Sequence, residues 1–299
     1  MPKDSSSHDL NHRFVIESAD VRGQFAQLDL TWREIQRRVV YPPVVRDVLG
    51  QACAAIALLG GILKFDGKIT LQIRGAGPLH LLVAQITNAG GLRAVARWHD
   101  ALPDTTDLQQ LCPDGQLMVS IERTRGEPYT GTVELTHPAL AQTLANYFSS
   151  SEQTGTALWL AADEQRCAGL FLQRLPSAQA IGQDEADENW NRVNYLAETV
   201  TANELLTLHA DDLLFRLFNE ERVRIFDPGP VSFSCSCSRQ RSAGLLRALG
   251  SEELQALAAE QEVVTVTCEF CGCEYLFDAV DCRQLESTTH IDSVGQTRH

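Results

Sequence analysis

The chain is expected to fold as an α+β protein: an N-terminal core of β-sheets with packed helices, a helical linker, and a small C-terminal domain built on four cysteines. Three observations predict this. Short runs of alternating apolar and polar residues, separated by turn signals, recur up to Pro176. A few helical segments stand among these strand groups, one of them apolar on most faces. Six of the nine cysteines fall between Cys235 and Cys282. The expected boundaries are 1–178 for the core, 179–230 for the linker, 231–287 for the cysteine domain and 288–299 for a polar tail.

Residues 1–12 are polar and are expected to fray. Phe14, Val15 and Ile16, then residues 21–30, read as strands. Thr31-Trp32-Arg33-Glu34 matches a capping box before Ile35, and Tyr41-Pro42-Pro43 breaks that helix. A second helix starts near Pro43 and carries Val48, Leu49, Ala52, Ile56 and Leu59, with Gly60-Gly61 near its end. Cys53 on it reads as a small core residue. Asp66-Gly67 marks a turn between residues 62–65 and a strand over 68–73. Lys68 is followed by Ile69, and only five residues separate Gly61 from Gly67, so the phosphate-loop pattern fails. Further strands are expected over 79–86, 92–98, 117–123, 130–135, 156–162 and 168–175, with a helix over 139–148. His80, His99 and His137 are scattered, with no partners at ligand or triad spacing.

Beyond Gly182 the composition turns acidic and helical, with Asp184, Glu185, Asp187 and Glu188 suited to a helix N-terminus. Trp190, Val193, Leu196 and Val200 recur at helical spacing. Thr201-Ala202-Asn203-Glu204 is a second capping box. Asp211 or Asp212 is expected to cap a third helix carrying Leu214, Phe215, Leu217 and Phe218. These helices have apolar faces but no core of their own, so they must lie on another domain or on a partner. Trp190, Val193, Leu196, Leu214, Phe215 and Phe218 are therefore the surface that undocking would reveal.

Cys235-Ser236-Cys237 and Cys268-Glu269-Phe270-Cys271 supply four thiolates in two close pairs, the donor set of a structural zinc site. Gly272 suits the tight turn around a metal. Residues 263–267 and 275–277 read as strands on either side of the second pair. Ser238 caps a helix that ends at Gly250, Ser251 starts another, and Asp278 caps a last one. Cys273 and Cys282 are further thiols nearby, either of which could replace a ligand or scramble a disulfide.

The net charge of −14 argues against nucleic acid as the main partner. No run of eighteen apolar residues predicts a membrane span, and the N-terminus has no apolar signal core. A cytoplasmic protein with reduced thiols is expected.

The cysteine signature, with Val21-Arg22-Gly23, residues 63–67, residues 93–97, Tyr129-Thr130-Gly131, residues 147–153, Leu175-Pro176 and Tyr275-Leu276-Phe277, resembles the heat shock protein 33 family from about Phe14 to Asp281. The resemblance implies an ATP-independent chaperone rather than an enzyme. It implies one Zn2+ on Cys235, Cys237, Cys268 and Cys271 in an inactive reduced form. Oxidation would pair Cys235 with Cys237 and Cys268 with Cys271, expel zinc, unfold the small domain and loosen the linker. The partners implied are unfolding client proteins, a second copy in a homodimer when oxidised, and ATP-dependent foldases downstream. Cys273 departs from the family pattern, as does Gln240, where relatives often carry Glu. Two other readings compete. A zinc-ribbon nucleic-acid binder would use Arg239, Arg241 and Arg247, and a thiol oxidoreductase would use Cys268 and Cys271.

Overall fold

A computed structural model describes residues 9–124, 127–152, 154–176 and 183–285. The chain divides into two units, Met1–Ser234 and Cys235–His299.

Strands β1 (Leu10–Ile16) and β2 (Val21–Leu28) pair antiparallel. Helix α1 (Leu30–Gln36) follows, then α2 (Pro43–Ile62). Next come β3 (Gly67–Arg74), β4 (Leu79–Thr87), β5 (Gly91–Trp98), α3 (Leu108–Leu111), β6 (Gln116–Arg123) and β7 (Tyr129–Glu134). Helix α4 (Leu140–Glu152), β8 (Thr156–Ala162) and β9 (Cys167–Arg174) complete the core. Helices α5 (Gln183–Glu198), α6 (Ala202–Thr207) and α7 (Ala210–Phe218) lead to three short strands, β10 (Val223–Ile225), β11 (Gly229–Pro230) and β12 (Ser232–Phe233). The second unit holds α8 (Arg239–Leu249), α9 (Ser251–Glu260), β13 (Val263–Thr267), β14 (Glu274–Asp278) and a final helix over 279–285.

One six-stranded sheet runs β10-β1-β2-β9-β8, with β11 also on β1. The other runs β12-β5-β4-β3-β6-β7. Helix α2 packs against strands of both sheets, which is why it is apolar nearly all round. Val45, Val48, Leu49, Ala52, Cys53, Ile56 and Leu59 are all buried along it. Burial pushes the Cys53 and Cys167 thiols well up, so both behave as core side chains.

The period of two in β9 divides the first unit into two apolar layers. Cys167 and Phe171 face the α2 layer, whereas Ala168, Leu170 and Leu172 join Phe14, Val21 and Phe25 on the opposite face. Val193, Ala197, Leu205, Leu213, Leu214, Leu217 and Phe218 of α5–α7 cover that second face. The linker helices thus find on the sheet the core that they lack by themselves. Gly23 makes the layer possible, because a Cβ there would lie 2.0 Å from the Phe14 ring. Phe14 in turn meets Phe218 with ring centroids 6.3 Å apart.

Polar ties fasten the same helices. Gln27 Nε2 donates to the Leu205 carbonyl (3.1 Å) and Arg166 Nη1 to the Leu206 carbonyl (3.0 Å). Arg192 pairs with Glu221 at 2.7 Å, and Ser18 Oγ donates to the same carboxylate. The Arg192 hydrogen bond outweighs burial and lowers the Glu221 pKa. A depressed carboxyl stabilises the fold above its unfolded pKa and loses that contribution as pH falls through the folded value. Glu221→Gln should therefore flatten the acid limb of a stability–pH curve below about pH 4.5, measured by denaturant midpoints.

Several sequence expectations are corrected. Thr31 does not cap α1, which starts at Leu30 after Asp29 with no side-chain cap bond. The Asp9 carboxylate instead accepts from Thr31 N (2.8 Å), Thr31 Oγ1 (2.9 Å) and Asp29 N (2.6 Å), and residues 10–12 belong to β1 rather than to a frayed end. His209 precedes α7 at the cap position, and Asp211 and Asp212 sit in its first turn, where carboxylates complement the helix dipole. The short α3 is an addition. Residues 1–8, the junction at 177–182 and the tail beyond 285 lie outside the described residues.

Candidate metal centre

Each flank of the cysteine motifs is shaped by local sequence. Thr-Val alternation builds β13, which pairs with β14 from Val263↔Asp278 to Thr267↔Glu274. Between the strands, Cys268 N donates to the Cys273 carbonyl (2.9 Å) and Gly272 N to the Cys268 carbonyl (2.7 Å). Gly272 takes φ +66°, a left-handed conformation that glycine adopts without strain. Ser238 Oγ accepts from Arg241 N at 3.2 Å and starts α8 directly after Cys237. Asp278 Oδ1 accepts from Val280 N and Asp281 N (2.8 Å each), capping the helix over 279–285.

The turn and the α8 entry bring the four sulfur atoms of Cys235, Cys237, Cys268 and Cys271 within 4.8 Å of one another. Cys235 and Cys268 Sγ are 3.6 Å apart, and Cys237 and Cys271 Sγ are 3.3 Å apart. A tetrahedral zinc–thiolate site with bonds of about 2.3 Å has sulfur–sulfur edges of about 3.8 Å. The cluster fits that dimension in number, chemistry and spacing. No disulfide joins any of the nine cysteines, all of them among the described residues.

Electrostatics single out Cys237. Burial raises its pKa, but hydrogen bonds from Tyr275 Oη (3.1 Å) and the neighbouring thiols more than compensate, bringing it down to about 7. Burial pushes Cys268 and Cys271 up. The arrangement concentrates thiolate character at one sulfur, which a cation would extend to all four. Tyr275 escaped the sequence reading as a site residue. Its only signal is a polar-tipped aromatic in the strand that returns from the second cysteine pair.

Cys273 is exposed and outside the sulfur cluster; its carbonyl, not its thiol, closes the turn. Cys282 is buried with Leu246, Leu254, Val264 and Phe277, which form the small core of this unit. Two of the three arginines near the first pair have partners inside the unit. Arg239 lies over the Phe277 ring (4.4 Å) and pairs with Asp281 at 2.6 Å, and Arg241 donates to the Ser236 carbonyl. Cys268 and Cys271 occupy a turn between antiparallel strands, not the strand-to-helix junction of thioredoxin-like enzymes.

The six linker residues separate by burial. Val193, Leu214 and Phe218 are buried in the second apolar layer, and Trp190 and Leu196 pack partly against it. Phe215 points outward and is 72% exposed. Helical periodicity explains the split, since positions 210, 213, 214, 217 and 218 share the docked face of α7.

Comparison with known proteins matches the geometry to one family. The family model described as "Hsp33 protein" matches residues 9–278. The 33 kDa chaperonin of Nitrosococcus oceani is 46% identical over 294 residues, covering 98% of this chain and 100% of that protein. That of Ectopseudomonas mendocina is 44% identical, with 98% and 100% covered. The crystal structure of the 33 kDa chaperonin from Thermotoga maritima superposes with a TM-score of 0.81 at 22% identity, over 95% of this chain and 99% of that one, and so shares the fold. A match across both the two-sheet core and the cysteine unit establishes that this chain belongs to the Hsp33 family of chaperones.

Proposed function

We propose that this protein is a redox-regulated, ATP-independent holdase that captures unfolding proteins during oxidative stress. The observation that carries the reading is the cluster of four sulfurs within 4.8 Å, in a unit whose own apolar core is small. Family membership supports the chaperone role.

In this reading Cys235, Cys237, Cys268 and Cys271 hold one Zn2+ in the reduced protein, which is inactive. Bound zinc would supply the charge that keeps all four thiols deprotonated and much of the folding free energy of the unit, on the order of 10–16 kcal/mol in comparable peptides. Tyr275 Oη steadies the Cys237 thiolate. Tyr275→Phe should lower zinc affinity about 10- to 100-fold, the usual effect of losing a hydrogen bond to a ligand; competition with a chromogenic chelator measures it.

Hypochlorite, or peroxide with heat, oxidises the thiolates. Each pair gives up two electrons to form one S–S bond, and hypochlorite leaves as chloride and water. Cys235 pairs with Cys237 and Cys268 with Cys271, after which the sulfurs no longer act as ligands. The unit unfolds and α5–α7 loosen from the sheet. Trp190, Val193, Leu196, Leu214 and Phe218 then join Phe215 as client-binding surface. A chain of net charge −14 keeps such complexes soluble. The oxidised protein dimerises, and clients pass to ATP-dependent foldases after reduction. The site of action is the cytoplasm, where thiols are reduced at rest.

Sulfur contacts also run between the two pairs, Cys235 to Cys268 at 3.6 Å and Cys237 to Cys271 at 3.3 Å. Peptide mapping of the oxidised protein distinguishes disulfides within the pairs from disulfides across them. The function itself is tested by light scattering of a heat-unfolding client. Suppression by oxidised but not reduced protein is expected, and equal behaviour of the two forms would overturn the redox switch.

A further inference from the structure

We propose a binding site for a small anionic amphiphile in the first unit, at the end of α2 and on the α2 side of β1 and β2. A cavity of about 320 Å3 opens there, a size suited to a ligand of modest length. Its apolar wall comes from Phe171 and Ile62, with Phe226 at the rim, 41% exposed.

Charge distinguishes this cavity from the rest of the molecule. The chain carries 39 Asp and Glu against 25 Lys and Arg, yet none of the described residues that line the cavity is acidic. Three are cations: Arg13, Arg22 and Lys64. Arg22 hydrogen-bonds only the neutral Gln173 carboxamide among the bonds described for it. Among the described residues neither Arg13 nor Lys64 is in an ion pair. The C-terminus of α2 ends at the same place, but its half-unit of negative charge offsets only a fraction of three cations. Three cations and an apolar wall therefore line the same cavity.

The second observation is Gln24. Its side chain lines the cavity and is 2% exposed, yet its Oε1 has no hydrogen-bond partner. A buried carboxamide oxygen without a donor costs about 1–3 kcal/mol. The amide can turn either end toward a guest. Gly61 keeps the space beside it open, since a Cβ there would lie 2.0 Å from Gln24 Nε2. Cations at the mouth, a polar amide inside and aromatic walls together match one chemistry, a monoanionic head group on a short apolar tail.

Calorimetry on the reduced, zinc-loaded full chain tests this, with decanoate below its micelle threshold as the probe. One decanoate should bind per chain, while acetate and decyltrimethylammonium should not bind. Arg13 and Lys64 are exposed, so Arg13→Glu with Lys64→Glu should fold, as thermal unfolding checks, and should weaken binding about 100-fold, tenfold for each charge. Arg13→Lys with Lys64→Arg should retain it. The proposal is overturned if decanoate does not bind, if the cationic amphiphile binds equally, or if charge reversal in the folded variant changes nothing. Phosphatidylglycerol vesicles separate a free amphiphile from a bilayer surface; binding to vesicles without binding to decanoate would also overturn it.

Discussion

Replacing Cys237 or Cys271 with Ser is expected to remove zinc from the purified protein and unfold the second unit without any oxidant. Among the described residues the unit has a core of only a few buried side chains around Leu246, Leu254, Val264 and Phe277. A core that small supplies little net stability against chain entropy. Four metal–sulfur bonds would supply most of it, so losing one ligand should exceed the 10- to 100-fold effect of a lost ligand hydrogen bond. Zinc content by atomic absorption and amide exchange across β13 and β14 are the readouts. Cys273→Ser is the matched control, because its thiol lies outside the sulfur cluster, and it should keep zinc. Normal zinc content in both ligand variants would sink the assignment, and loss of zinc in the Cys273 variant would show that the fourth ligand was misidentified.

Phe218→Ala should undock the linker while leaving the two-sheet core folded. Phe218 is 1% exposed and packs on Phe14, which itself lies across Gly23. Truncating a buried phenylalanine costs about 3–5 kcal/mol. The α2 layer contains neither Phe14 nor Phe218, so the loss falls on the layer that α5–α7 share with the sheet. Limited proteolysis within 183–222 should become much faster, with the N-terminal core surviving as a fragment. Phe215→Ala removes an exposed ring of α7 and should leave the cleavage rate unchanged. Equal protection of the Phe218 variant and the parent would mean that the helices are held by something other than this apolar contact.

How much of this was legible in the sequence depended on how local each cause is. The capping box Thr201–Glu204 is complete within four residues, and both of its bonds form. The cysteine spacing is similarly local, because a metal-sized turn needs only Cys268 to Gly272. The docked face of α7 was read only in part, since Phe215 was grouped with Leu214 and Phe218 yet points outward. Thr31 failed as a cap because its acceptor is Asp9, a residue distant along the chain that arrives only when β1 pairs with β2. The parallel pairing of β12 with β5 joins Ser232 to Gly91 and leaves no pattern in either segment. The contact of Tyr275 with Cys237 likewise depends on folding the two cysteine motifs together. The two apolar layers were half visible: residues 168–175 read as a strand, but only the tertiary fold shows that it is buried on both faces, and which face belongs to α2 and which to the linker.

Control of the linker helices by the thiol cluster is tested most directly by one titration. Reduced, zinc-loaded protein is treated with increasing hypochlorite, and released zinc, amide exchange in α5–α7 and suppression of client aggregation are followed in the same samples. The account predicts that all three rise together, with Phe218→Ala showing linker exchange before any oxidant is added. Full zinc release with α5–α7 still protected and no suppression of aggregation would contradict it.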